Sequence, residues 1–181
     1  MRDPGLARLA PLLATTPGVR PLPAAARWIL RGGPKVRVAA EGALKLAVPA
    51  EACRAATQDE SAALWLGPDE WLLISAQGRA DDTAAALRAA LAGLAHSLVD
   101  VSHRQVALEL SGPDAPALLA SGCPLDLDSA AFPAGMCTRT LLGKAEIVLW
   151  RTSAEAFRVE VWRSFAPYVS AFLAEAARGL A

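Results

Sequence analysis

The chain has 181 residues, with 18 Lys plus Arg against 18 Asp plus Glu and a formal net charge of zero. Hydrophobic residues make up 54% of it, many of them Ala, and the length suits one domain or two small ones able to bury a core. A neutral balance excludes the strongly basic classes that hold nucleic acid or an anionic membrane surface through excess positive charge.

Residues 1 to 34 read as a Pro-rich arm. Pro4, Pro11, Pro17, Pro21 and Pro23 remove amide donors and block regular pairing, while Leu6, Leu9, Leu12 and Leu13 are what such an arm can bury. Within it, Ala24 to Leu30 fits a short helix or strand carrying Trp28, ended by Gly32-Gly33-Pro34. From 35 to 181 a single α+β domain is expected. Lys35 to Ala39 and Leu44 to Val48 alternate about Glu41-Gly42 and predict a hairpin. Ala63 to Leu66 and Trp71 to Ser75 predict a second, turned by Gly67-Pro68-Asp69-Glu70. Asp81 to Ala95 follows as a helix, capped near Asp81 or Asp82, with Leu87, Leu91 and Leu94 on one stripe.

The stretch from Val99 to Leu119 organises the rest. Between Ser97 and Leu110, Val99, Val101, Val106, Leu108 and Leu110 alternate with polar residues, which predicts one strand with a buried face. Ser111-Gly112-Pro113-Asp114 stops it and opens a short helix through Ala120; Pro fits the first turn, and Ser111 or Asp114 is available for open amides. Arg139 to Leu142 and Ala145 to Trp150 then turn at Gly143-Lys144. Phe157, Val159 and Val161 alternate against Arg158, Glu160 and Trp162, and Tyr168, Phe172, Leu173 and Ala176 mark a terminal helix. A hairpin feeding a helix thus occurs on each side of the central strand. That echo predicts an α+β fold of two split βαβ, ferredoxin-like halves, with antiparallel sheets and helices packed on one face.

Chemistry is sparse along this scaffold. There is no Gly-rich phosphate loop and no Gly-x-Ser-x-Gly elbow. Cys53, Cys123 and Cys137 are odd in number and lack Cys-x-x-Cys spacing, which indicates neither a disulfide framework nor a zinc site. With no leader pattern and no apolar run of membrane-spanning length, a cytoplasmic chain is expected. His103 has Asp100, Ser102 and Arg104 beside it, the residue types of general base catalysis. Neighbours along one strand point to opposite faces, however, so a structural or interface role is the plainer reading. Cys137 near Arg139 reads as a buried thiol, and Asp126 with Asp128 as a solvated turn. Arg104, Arg139, Arg151, Arg158 and Arg163 lie on or near strands, where their planar forks can grip carboxylates of a folate tail or of a partner protein. Trp65, Trp71, Trp150 and Trp162 read first as core and then as interface anchors.

Five segments together carry a resemblance: LWLGPDEWLL (Leu64 to Leu73), VDVSHR (Val99 to Arg104), LELSGPDAPALLASGCPLDL (Leu108 to Leu127), FPAGMCTRTLLGKAEIVLW (Phe132 to Trp150) and FRVEVWRSFAPYVSAFL (Phe157 to Leu173). In this order and spacing they resemble the gamma subunit of heterotetrameric sarcosine oxidase. The strand followed by LSGPDAPALL is also similar to the folate-binding domains of aminomethyltransferases and tRNA-modification proteins. The resemblance implies a complex that oxidatively demethylates sarcosine to glycine, forming hydrogen peroxide and, with tetrahydrofolate, methylene-tetrahydrofolate. It implies that FAD, FMN, NAD, zinc and tetrahydrofolate sit on the other subunits. This chain would then be an accessory subunit packed mainly on the alpha subunit, with beta and delta subunits in the same assembly and no cofactor of its own. No catalytic residue carries over from that family. Asp100, His103, Arg104, Arg139 and Arg163 are the residues offered for a partner interface or a folate groove. The rival expectation is an independent folate-binding one-carbon transferase or metabolite-binding module.

Overall fold

In the computed structural model, which describes residues 16–180, Pro34 opens a helix where the sequence pattern predicts a hairpin. Its fixed φ and missing amide hydrogen suit a first helical position directly after Gly33. The chain runs β1 (Val19–Pro21), β2 (Ala25–Gly32), α1 (Pro34–Leu44), β3 (Ala55–Gln58), β4 (Ser61–Gly67) and β5 (Glu70–Ala76). A 3-10 turn then leads into α2 (Ala80–Leu91), β6 (His96–Asp100), β7 (Gln105–Ser111) and α3 (Ala115–Ala120). The last elements are β8 (Cys137–Leu142), β9 (Ala145–Ser153), β10 (Ala156–Trp162) and α4 (Ala166–Leu180).

Two compact units result in place of the single domain expected over 35 to 181. One is Ala25–His103; the other joins the segment before Ala25 to Arg104 and all that follows. The first unit has an antiparallel sheet ordered β3-β4-β5-β2-β6. The second has an antiparallel sheet ordered β1-β7-β10-β9-β8. The two orders correspond place by place. In the first unit the sequence of elements is β2-α1-β3-β4-β5-α2-β6, and in the second it is β7-α3-β8-β9-β10-α4, with β1 from the opposite end of the chain in the final place. Each is a split βαβ arrangement with one extra edge strand.

Helices cover one face of each sheet. In the first unit Val36 and Ala40 of α1 and Ala84, Leu87 and Leu91 of α2 pack on Ala26, Trp28, Leu30, Ala63, Trp71 and Leu73. In the second, Leu118 and Leu119 of α3 and Val169 and Leu173 of α4 pack on Val106, Leu108, Leu110, Ile147, Leu149, Val159 and Val161. Helix spacing of three to four against strand spacing of two produces both cores. The hairpins at Gly67 to Glu70 and Gly143-Lys144 form as expected.

Three expectations are corrected. The hairpin over 35 to 48 is helix α1, stabilised by the i,i+4 ion pair Arg37–Glu41 at 2.6 Å and ended by Lys45 in the left-handed region at φ 52°. The arm of 1 to 34 is cut short, because β2 lies inside its sheet between β5 and β6 and β1 pairs with β7. Leu6, Leu9, Leu12 and Leu13, the leucines that such an arm can bury, fall in residues 1–15, which lie outside the described residues. The strand over 97 to 110 is two strands in two sheets, β6 and β7. Between them Asp100 Oδ1 accepts the Ser102 amide at 2.8 Å and Ser102 Oγ accepts the Arg27 amide at 2.9 Å, so a side-chain turn replaces the ladder.

Candidate functional site

The alternation along β10 places Phe157, Val159 and Val161 in the core and turns Trp162 outward. Trp162 lies opposite Gln105 in the register with β7, next to Arg104. The Arg104 guanidinium stacks over the Trp162 ring at 4.8 Å from its centroid. Such a stack is worth about 0.5–1 kcal/mol at an exposed position and fixes the plane of the fork. The Arg163 amide donates to the Arg104 carbonyl at 2.7 Å, which ties the start of β7 to the end of β10. Arg104 and Arg163 are thus brought together with Trp162.

The other expected residues are described by the unit that holds them. Asp100 and His103 belong to the first unit, at the end of β6 and in the turn after it, and both are exposed. The Asp100 carboxylate is engaged by the Ser102 amide. Arg139 is exposed on β8, opposite Val148 of β9 and three strands from β7 in the sheet order. Asp126 and Asp128 each accept a backbone amide two residues on, from Asp128 at 2.9 Å and Ala130 at 2.8 Å, as turn-forming aspartates do. Cys137 is fully buried, as the plainer reading has it. Among the described residues no group of three or more His, Cys, Asp or Glu side chains can hold a metal ion.

Arg151 differs from the other arginines. It is 5% exposed, and Nη1 donates to the carbonyls of Leu127 at 3.1 Å and Phe132 at 2.9 Å. Nη2 and Nε bind Ala154 O at 2.5 and 3.2 Å, and the guanidinium stands 4.9 Å from the Phe157 ring centroid. It is a cradle for the loop before β8 and the turn after β9. Its sequence signal is slight: it follows the apolar run Ile147 to Trp150 and interrupts it with a charge.

Hollows occur in the second unit. One, of about 280 Å³, is lined mainly by apolar atoms from Pro17, Leu110, Pro113, Leu118 and Leu180, with Asp114 its one charged side chain. A wider one, of about 530 Å³, has Asp126 and Asp128 at its wall beside Arg151. A polyanionic folate tail needs free guanidinium or ammonium groups; the first hollow has none and the second has only the Arg151 fork, already occupied by carbonyls. Neither offers an unengaged cation among the described residues that line it.

The sequence reading missed the exposed aromatic run. Of the residues that mark the last helix in the sequence, Leu173 is buried, whereas Tyr168 and Phe172 are not; the buried residues there are Ala166, Val169, Ser170, Leu173 and Ala174. Tyr168 is 37% and Phe165 is 41% exposed, and Phe172 is half-buried. The outward phase of Trp162 on β10 is the signal that points to this surface.

The fold defines a class: an α+β chain of two ferredoxin-like units. Comparison with known proteins supplies the family. The model of the sarcosine oxidase gamma subunit family matches residues 31–179, and the chain belongs to that family. Sarcosine oxidase subunit gamma of Corynebacterium sp. (strain P-1) is 37% identical over 122 residues, 67% of this chain and 59% of that one. The match thus spans somewhat under two thirds of that relative's length. A chain of the heterotetrameric sarcosine oxidase from Corynebacterium sp. U-96, solved in complex with pyrrole 2-carboxylate, superposes with a TM-score of 0.90 at 27% identity. That superposition covers 99% of this chain and 95% of the other. The glycine cleavage system aminomethyltransferase T from Bartonella henselae shares the fold at a TM-score of 0.66 and 16% identity, over 91% of this chain and 48% of its own. The aminomethyltransferase-like α+β fold expected from the sequence is therefore the one observed.

Proposed function

We propose that this chain is the accessory gamma subunit of a heterotetrameric sarcosine oxidase, a cytoplasmic complex that oxidatively demethylates sarcosine to glycine and passes the one-carbon unit to tetrahydrofolate. The observation that carries the reading is the superposition on a chain of such a heterotetramer over 99% of this chain. In this reading FAD, FMN, NAD, zinc and tetrahydrofolate are held by the alpha, beta and delta subunits. The gamma chain contributes buried surface, chiefly against alpha. Within the second unit, Arg104 before β7 and Arg139 on β8 stand three strands apart in the sheet order, which supports a non-catalytic role, because general acid–base and nucleophilic sites need converging side chains. A permanent assembly of this kind buries a large, partly apolar interface.

The test is co-production with the other subunits, followed by size exclusion with absorbance followed in the flavin region. Co-elution with the larger chains and flavin colour is expected, together with sarcosine-dependent peroxide formation. A folded, colourless chain that ignores those subunits overturns the reading. Saturable binding of tetrahydrofolate by that chain alone would then favour the independent one-carbon transferase.

A further inference from the structure

The chain has five Trp, four Phe and one Tyr. Those that are exposed, Trp162 at 39%, Phe165 at 41% and Tyr168 at 37%, all fall within seven consecutive residues. Phe165 follows Trp162 in a tight turn, its amide donating to the Trp162 carbonyl at 2.8 Å, and α4 begins at the next residue. Clustering of large aromatic surface is what distinguishes binding sites from the scattered apolar residues of an ordinary exterior. Arg104 lies against the first of these rings, and among the described residues its guanidinium makes no ion pair. The acidic side chains nearest in sequence are already engaged: Glu160 is buried with Arg158 at 2.7 Å, and Asp100 holds the turn at Ser102.

A guanidinium stacked on an indole keeps its N–H edge free and pre-oriented, which lowers the ordering cost of forming a bidentate bond to a carboxylate. Trp and Arg in contact, flanked by Phe, is the composition of an interface hot spot. From this geometry we propose that Arg104, Trp162 and Phe165 form the seat for a segment of a partner subunit, one that presents an Asp or Glu next to an apolar side chain. The inference rests on the accessory-subunit reading and deepens it by naming the surface and its chemistry. Charge complementarity selects the occupant: Arg104 supplies a positive charge with no ion pair among the described residues, next to exposed apolar surface, and an acidic and apolar peptide segment satisfies both.

The experiment measures the dissociation constant of this chain for the remainder of the assembled complex. Trp162→Ala, Phe165→Ser and Arg104→Glu are expected to raise it about tenfold or more each, and Arg104→Lys by less. Added salt is expected to weaken the wild type more than Arg104→Ala, since the latter has lost the charge pair. Val38→Ser, which removes an exposed apolar side chain from α1 in the other unit, is expected to leave the constant unchanged. Three normal constants in the three seat variants, with the wild type assembling, overturn the inference and leave the accessory reading standing. Failure of the wild type itself to assemble overturns the accessory reading and this inference with it. Self-association of the isolated chain that Trp162→Ala abolishes would assign the seat to a second copy and also overturn the inference.

Discussion

The Tyr168 hydroxyl accepts the backbone amide of Lys144 at 3.0 Å, so the last helix of the second unit clamps the β8–β9 turn. Gly143, at φ +60°, leaves the room for that clamp, because a Cβ there would collide with the same hydroxyl. Gly143→Ala combines left-handed strain with this collision and is expected to lower stability by about 1–3 kcal/mol. Tyr168→Phe removes only the acceptor and is expected to cost about 0.5–1.5 kcal/mol. Urea unfolding of both variants checks the order; an alanine at 143 that is neutral would contradict the clamp.

A second glycine fastens the strand that crosses from the start of the chain. Gly18 O accepts the Ser111 amide at 2.8 Å, with Gly18 at φ +71° and no room for a Cβ against the Ser111 carbonyl. Gly18→Ala is expected to cost about 1–3 kcal/mol and to raise amide exchange through β1 while leaving the first unit protected. Hydrogen exchange read residue by residue tests this.

Arg151 is a buried cation bound by carbonyl oxygens. Arg151→Met would leave the carbonyls of Leu127, Phe132 and Ala154 without their donor, an expected loss of about 3 kcal/mol or more. Arg151→Lys should recover little, because one ammonium cannot reproduce the planar fork. Thermal unfolding of the pair measures it, and a fully rescued Lys variant would show that charge rather than shape matters there.

His103 provides the sharpest check on the accessory reading. General base catalysis contributes on the order of a hundredfold or more. His103→Gln in the assembled complex is expected to leave kcat within about twofold of wild type, and a hundredfold loss would restore the catalytic interpretation.

How far the sequence reaches can be judged from particular elements. The strands about Gly67-Pro68-Asp69-Glu70 and Gly143-Lys144, the helix carrying Leu87 and Leu91 and the helix after Pro113 are legible because their signals are local: turn residues, a proline at a helix start and one apolar period. The caps expected at Asp81 or Asp82 and at Asp114 are corrected, since α2 begins at Ala80 after Arg79 and neither helix has a side-chain cap hydrogen bond. The break at Ser102 was also written there, since the apolar phase passes from odd positions at Val99 and Val101 to even ones at Val106 and Leu108, a shift that one strand cannot carry. Over α1, Gly42 mimics the signal of a turn, but Pro34 at the helix start and the Val36–Ala40 spacing are the stronger signals. Of the site residues, the sequence picked out Arg104 and Arg163 but not their relation to Trp162, because that relation depends on the β7–β10 register.

By itself, then, the sequence determined the zero net charge and, through signals carried by neighbours along the chain, the antiparallel α+β class, the order of most elements and the resemblance to one family. Only the tertiary structure decided that β1 completes the second sheet beside β7, some ninety residues away, that Arg151 is interior, and that Arg104 lies on Trp162. Pairing across such separations depends on which strand edges remain open once the local pieces have formed, and on which polar groups find partners as water leaves.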